Sequence, residues 1–298
     1  MSTIRKATHA GSWYSDSPSE LALQLATFMN NATTRFPKSK AVLVPHAGYT
    51  YSGQTAAFSF NCIDYATTET IIIIGPSHRV HFNNVGISPF SEVETPLGNL
   101  TVDVELANTL ARDHPSFFKF VEKSVDEAEH SLEMQFPFIR FMLNRHPQDV
   151  IHNLKILPLL VGEMDYDTLR RIGSVLDPIA ANPGIAFVVS TDFCHFGRRF
   201  RFTNVPDVSS VALHKRIEML DMQGIDAIKS MDFLTWEQYI KKTGNTICGH
   251  APIAIVLSTL SSLGYRFDLI HYAQSNEAHS EADMSVSYCS GSFHSAFE

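Results

Sequence analysis

Ala41-Val-Leu-Val-Pro-His46 and Ile71-Ile-Ile-Ile-Gly-Pro-Ser-His78 follow one plan: an uninterrupted aliphatic run, a proline-containing turn, and a histidine. Runs of this length, rich in Val and Ile and closed by Gly or Pro, read as strands buried on both faces. Four more stretches share the pattern: Leu154–Val161, Ala186–Ser190, Phe267–Tyr272 and Met284–Tyr288. Helical patterns fall between them. Ser17-Pro18-Ser19-Glu20 is a capping box with proline in the first turn, predicting a helix towards Asn30. Val208–Met222 has helical spacing and meets Gly224. Thr235-Trp236-Glu237-Gln238 is a second capping box, opening a helix through Lys242, and Ala251–Leu260 reads as a buried helix. Alternating strands and helices predict one α/β domain over residues 1–298, its central sheet mostly parallel or mixed and flanked by helices. The last two strands are expected to pair antiparallel. In such sheets ligands collect beyond the carboxyl ends of the strands.

The composition narrows the function. The chain has 298 residues, a net charge of −8, 44% hydrophobic and 18% charged residues. That is globular composition with no basic footprint, which argues against nucleic acid as a partner. No run approaches the ~20 apolar residues of a membrane helix, and no leader pattern follows Arg5 and Lys6. Cys62, Cys194, Cys248 and Cys289 are too few and too scattered for a disulfide framework, so free thiols and a reducing, cytoplasmic compartment are expected.

His46 and His78 each stand just past a strand. If the strands are neighbours, both rings enter one cleft, where imidazole suits Zn, Cu, Fe or Ni; the plainer alternative is two polar turn residues. A third strand leads into Ser190-Thr191-Asp192-Phe193-Cys194-His195. Asp192 and His195 form a plausible acid/base pair, the carboxylate orienting the ring; they could equally be metal ligands. Cys248 precedes a helix, where a lowered pKa would favour a metal-binding thiolate; a buried, inert cysteine is the alternative. Asp126–Glu133 reads as the acidic start of a helix, with His130 and Glu133 on one face as supporting groups for the site. Trp13, Tyr51 and Arg199 are candidate pocket walls. H-E-x-x-H, G-x-S-x-G, P-loop and G-x-G-x-x-G patterns are all absent.

Taken together, HAGSWY (9–14), PHAGYTYSG (45–53), GPSH (75–78), EHSLEM (129–134), LVG (160–162), DFCHFGRRF (192–200), NTICG (245–249) and YAQS (272–275) resemble the MEMO family, mediators of ErbB-receptor-driven cell motility. The resemblance implies a fold similar to class III extradiol dioxygenases. It implies one copper or iron ion, or zinc, on His46, His78 and Cys248, with Asp192 and His195 beside it. A thiol where the dioxygenases carry a carboxylate turns the expectation from ring cleavage toward metal-dependent redox chemistry in motility-type signalling. It also implies a second role, binding a phosphotyrosine peptide or signalling protein in the same pocket, and a cytoplasmic location extending to the nucleus.

Overall fold

The computed structural model describes residues 3–33, 36–147 and 153–296. The strands are β1 (Ile4–Arg5), β2 (Ala41–Val44), β3 (Thr70–Pro76), β4 (Val85–Ile87), β5 (Glu92–Val93), β6 (Leu100–Thr101), β7 (Phe118–Phe120), β8 (Lys155–Val161), β9 (Ile185–Ser190), β10 (His195–Phe196), β11 (Tyr265–Gln274) and β12 (Ser285–Ser295). The helices are α1 (Pro18–Asn31), α2 (Tyr49–Phe60), α3 (Val104–Asp113), α4 (Lys123–Ala128), α5 (His130–Glu133), α6 (Phe136–Leu143), α7 (Tyr166–Ala180), α8 (Leu213–Lys229), α9 (Phe233–Thr243) and α10 (His250–Leu260).

One mixed sheet runs β10-β12-β2-β9-β3-β8-β4-β7, with β11 paired to β12. Its centre, β2-β9-β3-β8, is parallel, and β11 and β12 are antiparallel as expected. Alternation sorts the side chains of β3. Ile72 and Ile74 join Leu157, Phe187 and Val189 in a core covered by α7 and α10. Ile71 and Ile73 face Ala186 and Val188 on the other side, under α1, α2 and α6. Burial on both faces is why these strands carry no polar residue in their middles. Among the described residues no helix is long and apolar enough to cross a membrane, and all four cysteines are free.

Three helix readings differ from the observed elements. Asp126–Glu133 is not the start of one helix: α4 ends at Ala128, and Glu129 caps the separate α5 with its own side chain. The Val208–Met222 pattern is shifted: α8 spans Leu213–Lys229 and runs through Gly224. That glycine does not stop the helix. It lets α8 approach α9 so closely that a Cβ there would lie 2.9 Å from the Tyr239 ring. The start of α9 is capped by Asp232, which accepts from the N–H groups of Leu234 and Thr235, so the helix begins before Thr235. The Ser17 cap of α1 is as expected.

Candidate metal centre

β2 and β3 are not neighbours: β9 lies between them. Two strand spacings would separate their ends by about 10 Å, yet the His46 and His78 ring centroids are 5.1 Å apart, nearly perpendicular. The turns after each strand bend both rings over the end of β9. There Ser190 fixes the first ring. Its hydroxyl donates to Ser131 O at 2.6 Å. With that proton spent, Ser190 Oγ accepts from His46 Nδ1 at 2.8 Å. The proton of His46 therefore sits on Nδ1, and Nε2 keeps its lone pair. A carboxylate does the same for His78. Glu129 accepts from His78 Nδ1 at 2.9 Å and from its backbone N–H at 2.6 Å.

Glu129 also accepts the N–H groups of His130 (3.0 Å) and Ser131 (2.9 Å), so one buried carboxylate organises the turn into α5 and the ring of His78. Burial would raise its pKa, but His78 and these backbone donors win and hold it down at about 2. The turn brings in a third imidazole. His130 stacks on His78 with centroids 4.5 Å apart and lies 5.3 Å from His46. One donor nitrogen from each of His46, His78 and His130 lies within 4.8 Å of the other two. In a tetrahedral site with bonds of about 2.0–2.1 Å, donors stand about 3.3 Å apart, so small ring adjustments would close this set. Burial, then the neighbouring imidazoles, pushes His46 well below the usual histidine range. Burial, then His78, takes His130 down to about 4. Both are neutral near pH 7, the form that binds metal. His130 Nδ1 lies 3.2 Å from Glu129 Oε1 but is misaligned for a hydrogen bond, leaving a buried nitrogen unsatisfied.

The cluster is thus His/His/His and not the expected His/His/Cys. Cys248 is adjacent, with Sγ 3.2 Å from His46 Nε2, but it falls outside the group whose donors converge. Its sulfur accepts the Asp192 N–H at 3.2 Å. Burial, then the charge of Asp192, pushes the thiol above its usual range, so the helix terminus does not prevail and the neutral thiol is favoured. The metal-dependent redox function built on a thiolate ligand is corrected accordingly.

No hydrogen bond joins Asp192 to His195 among the described residues, although the two are close enough to interact by charge. Asp192 Oδ1 accepts the His46 N–H at 2.8 Å. The Nδ1 proton of His195 goes to Phe193 O (2.9 Å) and Thr246 O (3.1 Å), so two carbonyls fix its tautomer and leave Nε2 as the acceptor. Glu133 bonds none of the three clustered imidazoles. It accepts from Arg5 Nη1 (2.6 Å), His9 Nδ1 (2.9 Å) and the Tyr14 hydroxyl (2.9 Å). Arg5 is fully buried and also binds Asp126 Oδ1, Asp126 O and Glu129 O, tying the N-terminal segment to the turn that carries His130. Trp13, positioned by that segment, lies over His130 with ring centroids 4.4 Å apart. Trp13 and Tyr51 line a mostly apolar cavity of about 490 Å³ with Ala47, Phe200, Met284 and Tyr288. Arg199 lies exposed on the adjoining turn and is not among the cavity's lining residues.

Glu129, Ser190 and Arg5 escaped the sequence reading as site residues. The adjacency of Glu129 to His130 was the available signal, but it also fits a solvated first turn. Nothing local marks Ser190 or Arg5: Ser190 donates to Ser131 O, 59 residues away, and Arg5 to Asp126 O, 121 residues away.

Comparison with known proteins gives a match to the family model described as Memo-like protein over residues 5–292. The memo-1 homolog of Caenorhabditis elegans is 37% identical, covering 96% of this chain and 81% of its own. MEMO1 family protein MHO1 of Saccharomyces cerevisiae is 36% identical over 97% of this chain and 98% of its own. Protein MEMO1 of Xenopus laevis is 37% identical, covering 97% of each. The crystal structure of an uncharacterized Escherichia coli K12 protein superposes with a TM-score of 0.50 at 12% identity, covering 84% of this chain and 99% of its own, a likeness of fold alone.

Proposed function

The chain belongs to the Memo-like protein family, and from that premise we propose that it is a metal-dependent protein whose single ion is held by His46, His78 and His130. The observation that carries this reading is the convergence of three imidazole donors, two of them with tautomers fixed by Ser190 and Glu129. Without a thiolate, the donor set favours borderline divalent ions, Zn(II), Fe(II) or Cu(II), over Cu(I). Three protein ligands leave coordination positions for a small ligand, as in catalytic sites. When bound, the ion supplies Lewis acidity and lowers the pKa of whatever group it holds.

The chain's own residues have separate tasks. Glu129 orients His78 and anchors the His130 turn. Asp192 pins the His46 backbone, and Ser190 pins its ring. His195, with Nε2 unprotonated, takes up a proton from the ligand. The apolar walls formed by Trp13, Tyr51, Phe200 and Tyr288 suit a ligand with an apolar body. Four free cysteines support a reducing, cytoplasmic setting for this chemistry.

The test is elemental analysis of protein purified without added metal, followed by anaerobic titration with Zn(II), Fe(II) and Cu(II). His46→Ala, His78→Ala and His130→Ala should each lose the ion, while Cys248→Ser keeps it. Full metal content in His130→Ala, or loss in Cys248→Ser as complete as in the histidine variants, would refute the assignment.

A further inference from the structure

Among the described residues the sheet ends at β7, which is bonded on one side only, to β4. Val85 N–H donates to Phe117 O (2.7 Å) and Val121 N–H donates to Ile87 O (3.0 Å). The odd-numbered residues of this segment therefore turn their backbone groups toward β4, and Phe118 and Phe120 turn theirs outward. Phe118 N–H is used by His114 O at 3.0 Å. The Phe118 carbonyl and both backbone groups of Phe120 have no partner among the described residues. Beside this edge lies a mostly apolar groove of about 360 Å³, lined by Pro89, Phe90, Val104, Ala107 and Phe120 among others. Val104 and Phe120 are 40% and 45% exposed. An unpaired edge beside exposed apolar side chains is a template for strand addition.

The charges select the occupant. Lys119 is exposed on the face of β7 opposite Phe120, and Lys123 Nζ stands 5.5 Å from the Phe90 ring at the groove. A second copy of β7 paired about its centre would set Lys119 against Lys119, and like charges directly opposite are destabilising. We propose that β7 is a docking edge for an extended acidic segment of another protein, added antiparallel to the sheet. Both outward groups of Phe120 would bond one partner residue, whose apolar side chain faces the groove. The next partner residue would stand opposite Lys119 in a non-hydrogen-bonded pair, where side chains approach most closely, and is acidic. This inference is independent of the metal centre.

The test uses a fluorescein-labelled peptide, Thr-Val-Glu-Val-Thr flanked by glycines, with binding to the full chain read by fluorescence anisotropy. Phe120→Pro removes the outward N–H and spares every bond to β4. It should weaken binding by about tenfold, the loss expected for one hydrogen bond. Lys119→Glu should weaken it similarly and shift preference to the peptide with Lys in place of Glu. If Phe120→Pro does not fold, the charge exchange decides alone. Equal binding of the Glu and Lys peptides to the parent, or parent-like binding by Lys119→Glu, overturns the proposal. So does a parent that sediments as a dimer while Phe120→Pro is monomeric, which would give the edge to a second copy.

Discussion

Replacing Glu129 by Gln tests how much of the centre rests on one carboxylate. Oε1 accepts from His78 Nδ1, His130 N–H and Ser131 N–H, and Oε2 accepts from His78 N–H. A glutamine can keep its oxygen on the side with three donors. Its amide hydrogens then meet the His78 N–H, donor against donor, and this part-buried group loses a charge-assisted bond worth about 1.5–3 kcal/mol. Linkage gives a similar size. A carboxyl held at about 2 instead of the usual 4.5 contributes about 3 kcal/mol at neutral pH. Because the folded pKa is depressed, that stability is present above pH 4.5 and is lost as pH falls through about 2. At roughly 2.1 cal/mol/K per residue, about 2–3 kcal/mol lowers the Tm of this chain by about 3–5 °C. Metal affinity should fall about 10–100-fold as His78 loses its orienting partner. Calorimetry and metal titration measure the two effects, with exposed Glu122→Gln as the control. A Glu129→Gln protein with the parent's Tm and metal affinity would show that the carboxylate does not organise the centre.

Arg5→Met strands Asp126 and Glu133 without their cation and should cost about 3–5 kcal/mol in urea unfolding; a change below about 1 kcal/mol would mean the network is dispensable. Asp221 is buried and its carboxyl is raised to about 6 by burial. Its stabilising contribution is therefore complete below about pH 4 and lost as pH rises through about 6. Asp221→Asn, which can still meet Asn245 and Tyr272, should flatten the stability profile between about pH 4 and 7, and an unchanged profile counts against this assignment. Gly249→Ala places a Cβ 2.3 Å from Thr191 Cβ and 2.8 Å from Ser190 O, so overpacking should cost about 1–3 kcal/mol by thermal unfolding.

The central strands are legible before any folding, because β2, β3, β8 and β9 are local apolar runs whose lengths and closing residues need no partner to be read. The positions of His46 and His78 at the carboxyl edge follow for the same reason, and the Ser17 cap of α1 is equally local. Long-range contacts were needed to put β9 between β2 and β3, and to let Ser190 at its end set the tautomer of His46. They also chose the third member of the cluster. Helix-terminus chemistry favours a thiolate at Cys248, but burial beside Asp192 outweighs it, while Glu129 carries His130 over His78. Gly224 reads as a stop and serves as a contact, since its neighbour Tyr239 belongs to another helix. Periodicity and capping report interactions within a few residues. Desolvation and the long-range hydrogen bonds that select ligands and tautomers depend on which distant segments the fold brings together.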